Sequence, residues 1–559
     1  MRSVDLQTNR RRFEELLVAR ANRRRLLLGG ATVVAVSLPG LSTRIIAQDA
    51  MGTPVPDLTA PAYGATPSAS ARFASTPFTL GVASGDPLPD GVVLWTRLAP
   101  TPRDGGGMDN IPYEVRWELA SDESFASLVQ SGTTIASPQL AHSVHVDVTG
   151  LQPATEYYYR FMVGGEESPV GRTRTAPAAG AAVDSVRFAF TSCAHYEHGY
   201  FAAYRHLAEQ RFDLVFNLGD YIYEMGPGDY SVYEGEAPRN FSGAELLDLS
   251  LFRNRHALYK TDPDLQAAHA SAPWVVTWDD HEVENDYANL TREDPRQQVG
   301  FEDLRAAGYQ AYYEHMPLRA SSMPTGPDMQ LYRRIRWGNL AEFQVLDGRQ
   351  YRSDQPCGEG TYVRCPASVD PNTTMLGPDQ ERWLLGNLDA STSTWNVLAQ
   401  QTQMAMLEQG DGDQEQFFQD SWPGYPEARN RILGHVMSRG IQNLTVLTGD
   451  IHCHWGIDLL ADWRDANSQV LGTEFICSSI TAGGAEDPAI FFEEFLGEGR
   501  NPSIRFFDPR HSGYSSVEAT PERWTTDYWQ VEDMRQQDSP VNLINTLITE
   551  AGNPGVQQG

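Results

Sequence analysis

Four short, largely apolar runs along the chain each end on residues able to bind a cation. Val186-Arg-Phe-Ala-Phe190 leads into Thr191-Ser-Cys193, and Leu214-Val-Phe-Asn-Leu218 into Gly219-Asp220-Tyr221-Ile-Tyr223-Glu224. Trp274-Val-Val-Thr-Trp278 leads into Asp279-Asp280-His281-Glu-Val-Glu-Asn285, and Leu444-Thr-Val-Leu-Thr448 into Gly449-Asp450-Ile-His452-Cys-His454-Trp455. Such runs, bounded by turn signals, read as buried strands. Between them the period lengthens. Gly199 to Gln210 places Phe201, Tyr204 and Leu207/Ala208 on one helical face. Asp262-Pro263 reads as an N-cap with proline at the first helical position, opening a helix to about Ala270. Further helices are predicted over 299–315, from Pro378 through Trp383 and Leu385, and over 426–439. Strands are predicted at Tyr332 to Trp337, Ala341 to Leu346 and Trp395 to Gln400, with an irregular loop over 353–377. Strands alternating with helices predict an α/β fold, with central sheets flanked by helices.

Before residue 179 the pattern is different. Gly91-Val-Val-Leu-Trp95-Thr-Arg, Tyr113-Glu-Val-Arg-Trp117-Glu-Leu and Ser143-Val-His-Val-Asp-Val148 follow the strand period of two. Thr149-Gly-Leu-Gln-Pro-Ala-Thr155-Glu-Tyr157-Tyr-Tyr159-Arg resembles the fibronectin type III turn that enters a tyrosine-rich strand. A small fibronectin/Ig-like β-sandwich is therefore expected over 76–178, as a packing module beside the larger domain at 179–530. Residues 48–75 are rich in Pro, Ala, Ser, Thr and Gly and read as a linker. Residues 1–47 read as an export signal. Asn22-Arg23-Arg24-Arg25 precedes an apolar run from Leu26 to about Leu38, too short to span a bilayer comfortably. Paired arginines there resemble the twin-arginine (Tat) signal, which makes the Tat machinery the precursor's expected partner and the exported space its destination. Arg10-Arg11-Arg12-Phe13 is a rival match, but Glu14 and Glu15 follow where an apolar run is needed. No transmembrane helix is expected once the signal is removed. In the tail at 531–559, residues 543–551 look mildly helical.

Composition narrows the partners. A chain of 559 residues exceeds one ordinary core. Its net charge is −30, although residues 1–47 are basic. Such a body repels nucleic acid and anionic lipid at long range, so no nucleic-acid surface is expected. Lys260 is the sole lysine. Of five cysteines, Cys357 and Cys365 can close a small loop as a disulfide, and the odd count leaves at least one thiol unpaired. Cys477 is expected as a small buried hydrophobe.

The strand ends carry the candidate chemistry. Cys, Asp, Tyr, Asn and His delivered to the carboxyl edge of a parallel sheet stand where open α/β folds keep their sites. Carboxylates and a thiol gathered in one place repel each other unless cations are present. The set is richer in oxygen than a zinc site. Carboxylate and amide oxygens suit Ca²⁺, Mg²⁺ or Mn²⁺, and a Tyr–Cys–Asp–His set suits ferric iron. Asp220, at the centre, can bridge two ions. Bridged cations are the standard apparatus of phosphoryl transfer.

Taken together, Ser192-Cys193, Gly219-Asp220-Tyr221-Ile-Tyr223, Trp278-Asp279-Asp280-His281-Glu-Val-Glu-Asn285, Asp347-Gly-Arg349-Gln-Tyr351-Arg352 and Gly449-Asp450-Ile-His452-Cys-His454-Trp455 resemble the PhoD type of alkaline phosphatase. Phe78-Thr-Leu-Gly-Val-Ala-Ser-Gly-Asp86-Pro and Asn501-Pro502 to Tyr514 extend the resemblance over about 76–530. The motifs are variants of the calcineurin-like metallophosphoesterase signatures, with Cys where many relatives have an Asp–His pair. The resemblance implies an exported phosphomonoesterase and phosphodiesterase carrying Fe³⁺ and Ca²⁺, in which a metal-bound hydroxide attacks phosphorus. It implies Cys193, Asp220, Tyr223 and His452 as the iron set, and Asp220, Asp280, Asn285 and Asp450 as the calcium set. His281 is implied as proton donor or phosphate contact. Arg352, with Arg349 second, is implied as the phosphate clamp. His454 is expected behind the ligands, and Glu282 and Glu284 as solvated or helix-capping. Two other readings share these residues: a phospholipase D-like diesterase acting on lipid headgroups, and a secreted binding or adhesion protein whose metals are structural.

Overall fold

Side-chain alternation in the buried strands decides the layering. The computed structural model describes residues 72–559 except 234, 242, 410–413, 484–494 and 497–498. The expected signal and nearly all of the linker lie outside the described residues. In Leu214–Asn217, Leu214 and Phe216 face one way and Val215 the other. Phe216 and Phe188 meet Phe343 of a second sheet, with ring centroids 4.9 and 5.4 Å from it. Each fully buried phenylalanine of this layer contributes about 1.5–3 kcal/mol relative to an exposed one. Val215, Ala189, Trp274 and Val276 turn instead toward the helices.

The described helices are α1 (Ala202–Glu209), α2 (Leu249–Lys260), α3 (Pro263–Ser271), α4 (Phe301–His315), α5 (Gly377–Ala390) and α6 (Pro426–Arg439). Residues of α1 to α4 share a core with one sheet, and residues of α5 and α6 share a core with the other. The first sheet has ten strands, in the order Asn553–Gln558, Val541–Glu550, Arg523–Val531, Gly513–Ala519, Val186–Thr191, Leu214–Asn217, Pro273–Val276, Val82–Leu88, Gly91–Arg97, Ser143–Thr149. The second has seven: Arg333–Trp337, Ala341–Val345, Trp395–Ala399, Leu444–Thr448, Val470–Ile476, His454–Leu460, Ile504–Asp508. The central strands of both run parallel. The result is two face-to-face sheets with helices outside, the α/β architecture expected.

Two expectations change. The β-rich block at 76–178 is a sandwich, but one of its layers is the edge of the ten-stranded sheet. Val82–Leu88 pairs in parallel with Pro273–Val276, and a five-stranded sheet around Tyr113–Ala120 and Glu156–Val163 packs over it. The tail is strand rather than helix. Val541–Glu550 pairs along Arg523–Val531, and Leu547 turns into the core between the sheets. β-Branched Ile544, Thr546, Ile548 and Thr549 favour the extended form, so the sheet continues past residue 530. The predicted disulfide is formed, Cys357 to Cys365. Asp262 caps α3 by accepting from the backbone N–H of Asp264 and Leu265.

Helix α2 was not predicted, because its inward face is polar: Arg255, His256 and Lys260 are buried beside Phe252 and Leu258. Lys260 is 1% exposed. Its Nζ lies 3.2 Å from His269 Nε2 and 4.4 Å from the Trp95 ring centroid. Burial drives its pKa well below the ordinary lysine value. The unfolded chain then binds the extra proton below that ordinary value, so stability rises with pH. In urea titrations the wild type is expected to gain on Lys260→Met as pH rises toward the ordinary lysine pKa, by up to about 1.4 kcal/mol per pH unit. A pH-independent gap would show that the amine stays charged in the fold.

Candidate metal centre

Four of the seven expected ligand residues sit in a backbone conformation that side chains usually avoid. Cys193, Asp220, Asp450 and His452 have φ of 59°, 53°, 65° and 53°. Left-handed non-glycine residues cost on the order of 1–3 kcal/mol each and persist where the surroundings fix them. Here the strand-end loops are tied together. Cys193 N donates to Gly219 O at 3.2 Å, and Ala194 N to Asp220 O at 2.9 Å. Gly219 has φ 110°, and a Cβ there would stand 2.4 Å from Asp279 Cβ. Glu282 is fully buried rather than solvated. Its carboxylate accepts from the backbone N–H of Asp220, Tyr221 and Asp279 at 3.2, 2.6 and 2.9 Å. It thereby holds two strand ends in one register. Glu284 is half-buried and ion-paired with Arg292.

Two clusters meet at Asp220. Ligand atoms of Cys193, Asp220 and His452 lie within 4.8 Å of one another, as do those of Asp220, Asp280 and His281. The Tyr223 hydroxyl joins the first cluster, 3.0 Å from Asp220 Oδ2 and 3.2 Å from His452 Nε2. His452 Nδ1 lies 3.1 Å from Gly483 O. Burial lowers its pKa to about 4, so the ring is neutral. With Nδ1–H donated to that carbonyl, Nε2 keeps its lone pair for the centre. Asp220 Oδ1 and Asp450 Oδ2 are buried without a hydrogen-bond partner. The Asn285 side chain makes no hydrogen bond to the described residues, while its N–H donates to Glu224.

The electrostatics fit a site built for cations. Burial raises the pKa of Asp220, of Asp450 and of the Cys193 thiol well above their ordinary values, and neighbouring carboxylates add to each shift. Burial likewise raises the Tyr223 phenol, with Asp220 adding. Asp280 is the exception: burial opposes its charge, but Arg349 and His281 outweigh it and hold the group below the ordinary range. Ligands that keep protons when bare release them to a metal. The donor set of thiol, phenol, imidazole and carboxylates, with two orphaned carboxylate oxygens, fits metal cations.

His281 stands beside Asp220 on the second cluster. Its Nδ1 is 2.8 Å from Glu224 Oε2, and its ring lies 4.2 Å from that of Tyr223. Burial opposes the imidazolium, yet Glu224, Asp280 and Asp220 outweigh it and raise the pKa well above the ordinary histidine value. Glu224 is thus a site residue that the sequence reading missed, although it directly follows Tyr223.

The two arginines are not placed as expected. Arg349 is fully buried; its Nε donates to Asp279 Oδ1 at 2.5 Å and its Nη1 to Asp420 Oδ1 at 3.0 Å. Arg352 is 1% exposed and donates to the Asp420 carboxylate, to Asp420 O at 2.9 Å and to Asp286 O at 3.3 Å. A bidentate edge turned to a substrate is absent from Arg352. Both guanidinium groups hold carboxylates behind the centre, and Asp420 is the shared anchor. Asp420 lies far from either arginine in sequence, so no local signal links them. His454 is buried on the second sheet, where its Nδ1 accepts from Ser478 N at 3.0 Å.

Comparison with known proteins agrees with this geometry. The family model described as "PhoD-like phosphatase" matches residues 188–528, and "PhoD-like phosphatase, N-terminal domain" matches 64–177. Alkaline phosphatase D of Bacillus subtilis (strain 168) is 49% identical over 492 residues, covering 88% of this chain and 84% of that protein. A solved structure of PhoD superposes with TM-score 0.84 at 48% identity, covering 87% of this chain and 93% of the other. The purple acid phosphatase PPD1 of yellow lupin (Lupinus luteus) shares the fold, with TM-score 0.50 at 11% identity, covering 84% and 74%. The matched segments span both the sandwich and the domain that carries the metal-type cluster, and the chain belongs to the PhoD-like phosphatase family.

Proposed function

We propose that the protein is an exported, metal-dependent phosphoesterase that hydrolyses phosphate monoesters and diesters. One observation carries this reading: the Asp220 carboxylate, with one oxygen unpartnered, joins the Cys193–Tyr223–His452 cluster to the Asp280–His281 cluster. Membership of the phosphatase family supports it, as does the alkaline phosphatase named among the relatives. Export rests on the twin-arginine pattern before Leu26. No helix among the described residues is long and apolar enough to cross a membrane.

Cys193, Asp220, Tyr223 and His452 would hold Fe³⁺, and Asp220, Asp280, Asn285 and Asp450 would hold Ca²⁺. Such cations supply Lewis acidity and lower the pKa of water. The chain's own residues do the rest. Glu224 orients His281 and stabilises its charged form, so His281 is placed to contact the phosphoryl group or to give a proton to the leaving oxygen. Arg349 and Arg352, through Asp279 and Asp420, keep the carboxylates from turning away. His281→Asn is expected to lower kcat on the order of 10²-fold with metal content unchanged. Metal loss on the same scale would reassign His281 as a structural residue.

Metal analysis of the exported protein, with visible absorption and p-nitrophenyl phosphate hydrolysis, tests the whole reading. About one iron per chain is expected, with a tyrosinate-to-iron band that disappears in Tyr223→Phe, and with activity lost to a calcium chelator. Zinc or manganese without a coloured band would overturn the iron–calcium assignment and leave the phosphoesterase. Absence of both metal and turnover would overturn the proposal.

A further inference from the structure

Away from the metal centre, a cavity of about 190 Å³ opens where α2 meets the loops of the sandwich, lined in part by Arg97, Gly106, Asn110, His142, Ser250 and Asn254. A water's share of liquid volume is about 30 Å³, so the space admits a small molecule with some hydration. Arg97 gives the cavity its character. It is 1% exposed, and among the described residues it has no carboxylate ion-paired to it. Its Nε donates to Ala141 O at 2.9 Å, and Nη1 lies 2.7 Å from His315 Nε2. His315 is neutral, because burial and the charge of Arg97 both lower its pKa, and its Nδ1 is spent on Ala311 O at 2.6 Å. The acid that Arg97 feels, Glu314, is already engaged by Arg253 Nε at 2.6 Å and Gln310 Nε2 at 2.9 Å.

Nη2 of Arg97 is left over. It makes no hydrogen bond to the described residues and faces the wall of the cavity, 3.1 Å from where a Cβ on Gly106 would stand. Gly105, Gly106 and Gly107 carry the chain past this point at φ 68°, 86° and 75°, without side chains to fill the space. The loop is pinned to α2, since Gly105 N donates to Asn254 Oδ1 at 3.1 Å. That bond leaves the Asn254 amino group turned to other acceptors. The acids of the loop, Asp104 and Asp109, lie exposed, where salt screens them. A desolvated guanidinium whose nearby carboxylate is engaged by other donors is left under-compensated, and an anion at Nη2 would relieve that cost.

We propose that this cavity is a second ligand site, for a small oxyanion. A phosphate or carboxylate group is received by the Nη2 edge of Arg97, and Asn110, Ser250 and Asn254 hydrogen-bond its remaining oxygens. Charge-assisted bonds from arginine to such groups are the strong ones. The site shares no residue with the metal centre.

Calorimetric titration of inorganic phosphate into the holoenzyme tests this. Two binding events are expected. Ser250 is exposed, so Ser250→Trp closes the cavity from its rim. That variant is expected to lose one event and to keep wild-type hydrolysis of p-nitrophenyl phosphate. Arg97→Gln is expected to lose the same event. A Ser250-dependent event given by acetate and not by phosphate keeps the site and assigns it to a carboxylate. A single phosphate event that is lost in Ser250→Trp supports the cavity site even if the metal centre takes no phosphate. Phosphate and acetate binding that is indifferent to Ser250→Trp overturns the proposal.

Discussion

Asp220→Asn protein is expected to fold, to lack the iron band and to lose turnover by at least about 10³-fold. Removing a single preorganised electrostatic group costs about 10²–10³-fold in kcat, and Asp220 touches both clusters, so its loss disables two cation positions together. Asparagine keeps the size of the side chain and can still accept from the Tyr223 hydroxyl, which lies 3.0 Å from Oδ2 in the wild type. What disappears is the charge and the second, unpartnered oxygen. The stability of the metal-free forms gives an independent readout. Burial raises the pKa of Asp220 well above the ordinary carboxylate value. Bare wild type therefore loses stability as pH rises above that ordinary value, and the asparagine variant, which keeps the raised Asp450 but lacks this carboxyl, loses less. Metal-free Asp220→Asn should melt higher than metal-free wild type at neutral pH, while loaded wild type exceeds both through mass action. Wild-type turnover in the variant would remove Asp220 from the centre.

Asp420→Asn is expected to be the most destabilising change in the region, by about 3–5 kcal/mol. The Asp420 carboxylate is 1% exposed and is the common acceptor for two buried arginines, Arg349 through Nη1 and Arg352 through Nη2. Gln355 Nε2 also donates to it at 2.6 Å. An amide leaves two guanidinium groups in a low-dielectric interior with one carboxylate fewer. Arg349 Nη2 already lies 3.6 Å from Asp280 Oδ1, so a released Arg349 would compete with a cation for Asp280. Urea denaturation should show a lower midpoint at unchanged slope, together with weaker calcium retention. A loss below about 1 kcal/mol would mean that the arginines find other partners.

What was legible in the sequence was local. A buried run and a carboxylate sit within a few residues of each other, so Asp220, Asp280 and Asp450 could be placed at strand ends; the single sheet edge expected for them is in fact two, because Asp450 follows a strand of the second sheet. Tyr223 and His452 followed from their position in the same loops. Pairings between distant segments carry no such mark. Glu282 reads as a solvated acid until the backbone of Asp220 and Tyr221 is seen folded over it. Arg352 reads as a phosphate clamp until Asp420 arrives from another loop. The merging of the sandwich with the main sheet depends on Ser84 and Gly85 lying beside Pro273 and Trp274, a register that neither segment encodes alone. The final strands were misjudged because their apolar positions are mixed: Leu547 is buried, whereas Leu543 is 49% exposed.

The interior position of Lys260 has a practical side. It is the sole lysine of the chain, and it lies between Trp95, Tyr221 and His269. Acylating reagents such as succinimidyl esters therefore meet no side-chain amine on the surface of the folded protein. Glutaraldehyde has nothing to bridge between neighbouring molecules through lysine. Acylation of Lys260 waits for the core to open, so its rate in native buffer becomes a clock for unfolding, read by mass at a single position.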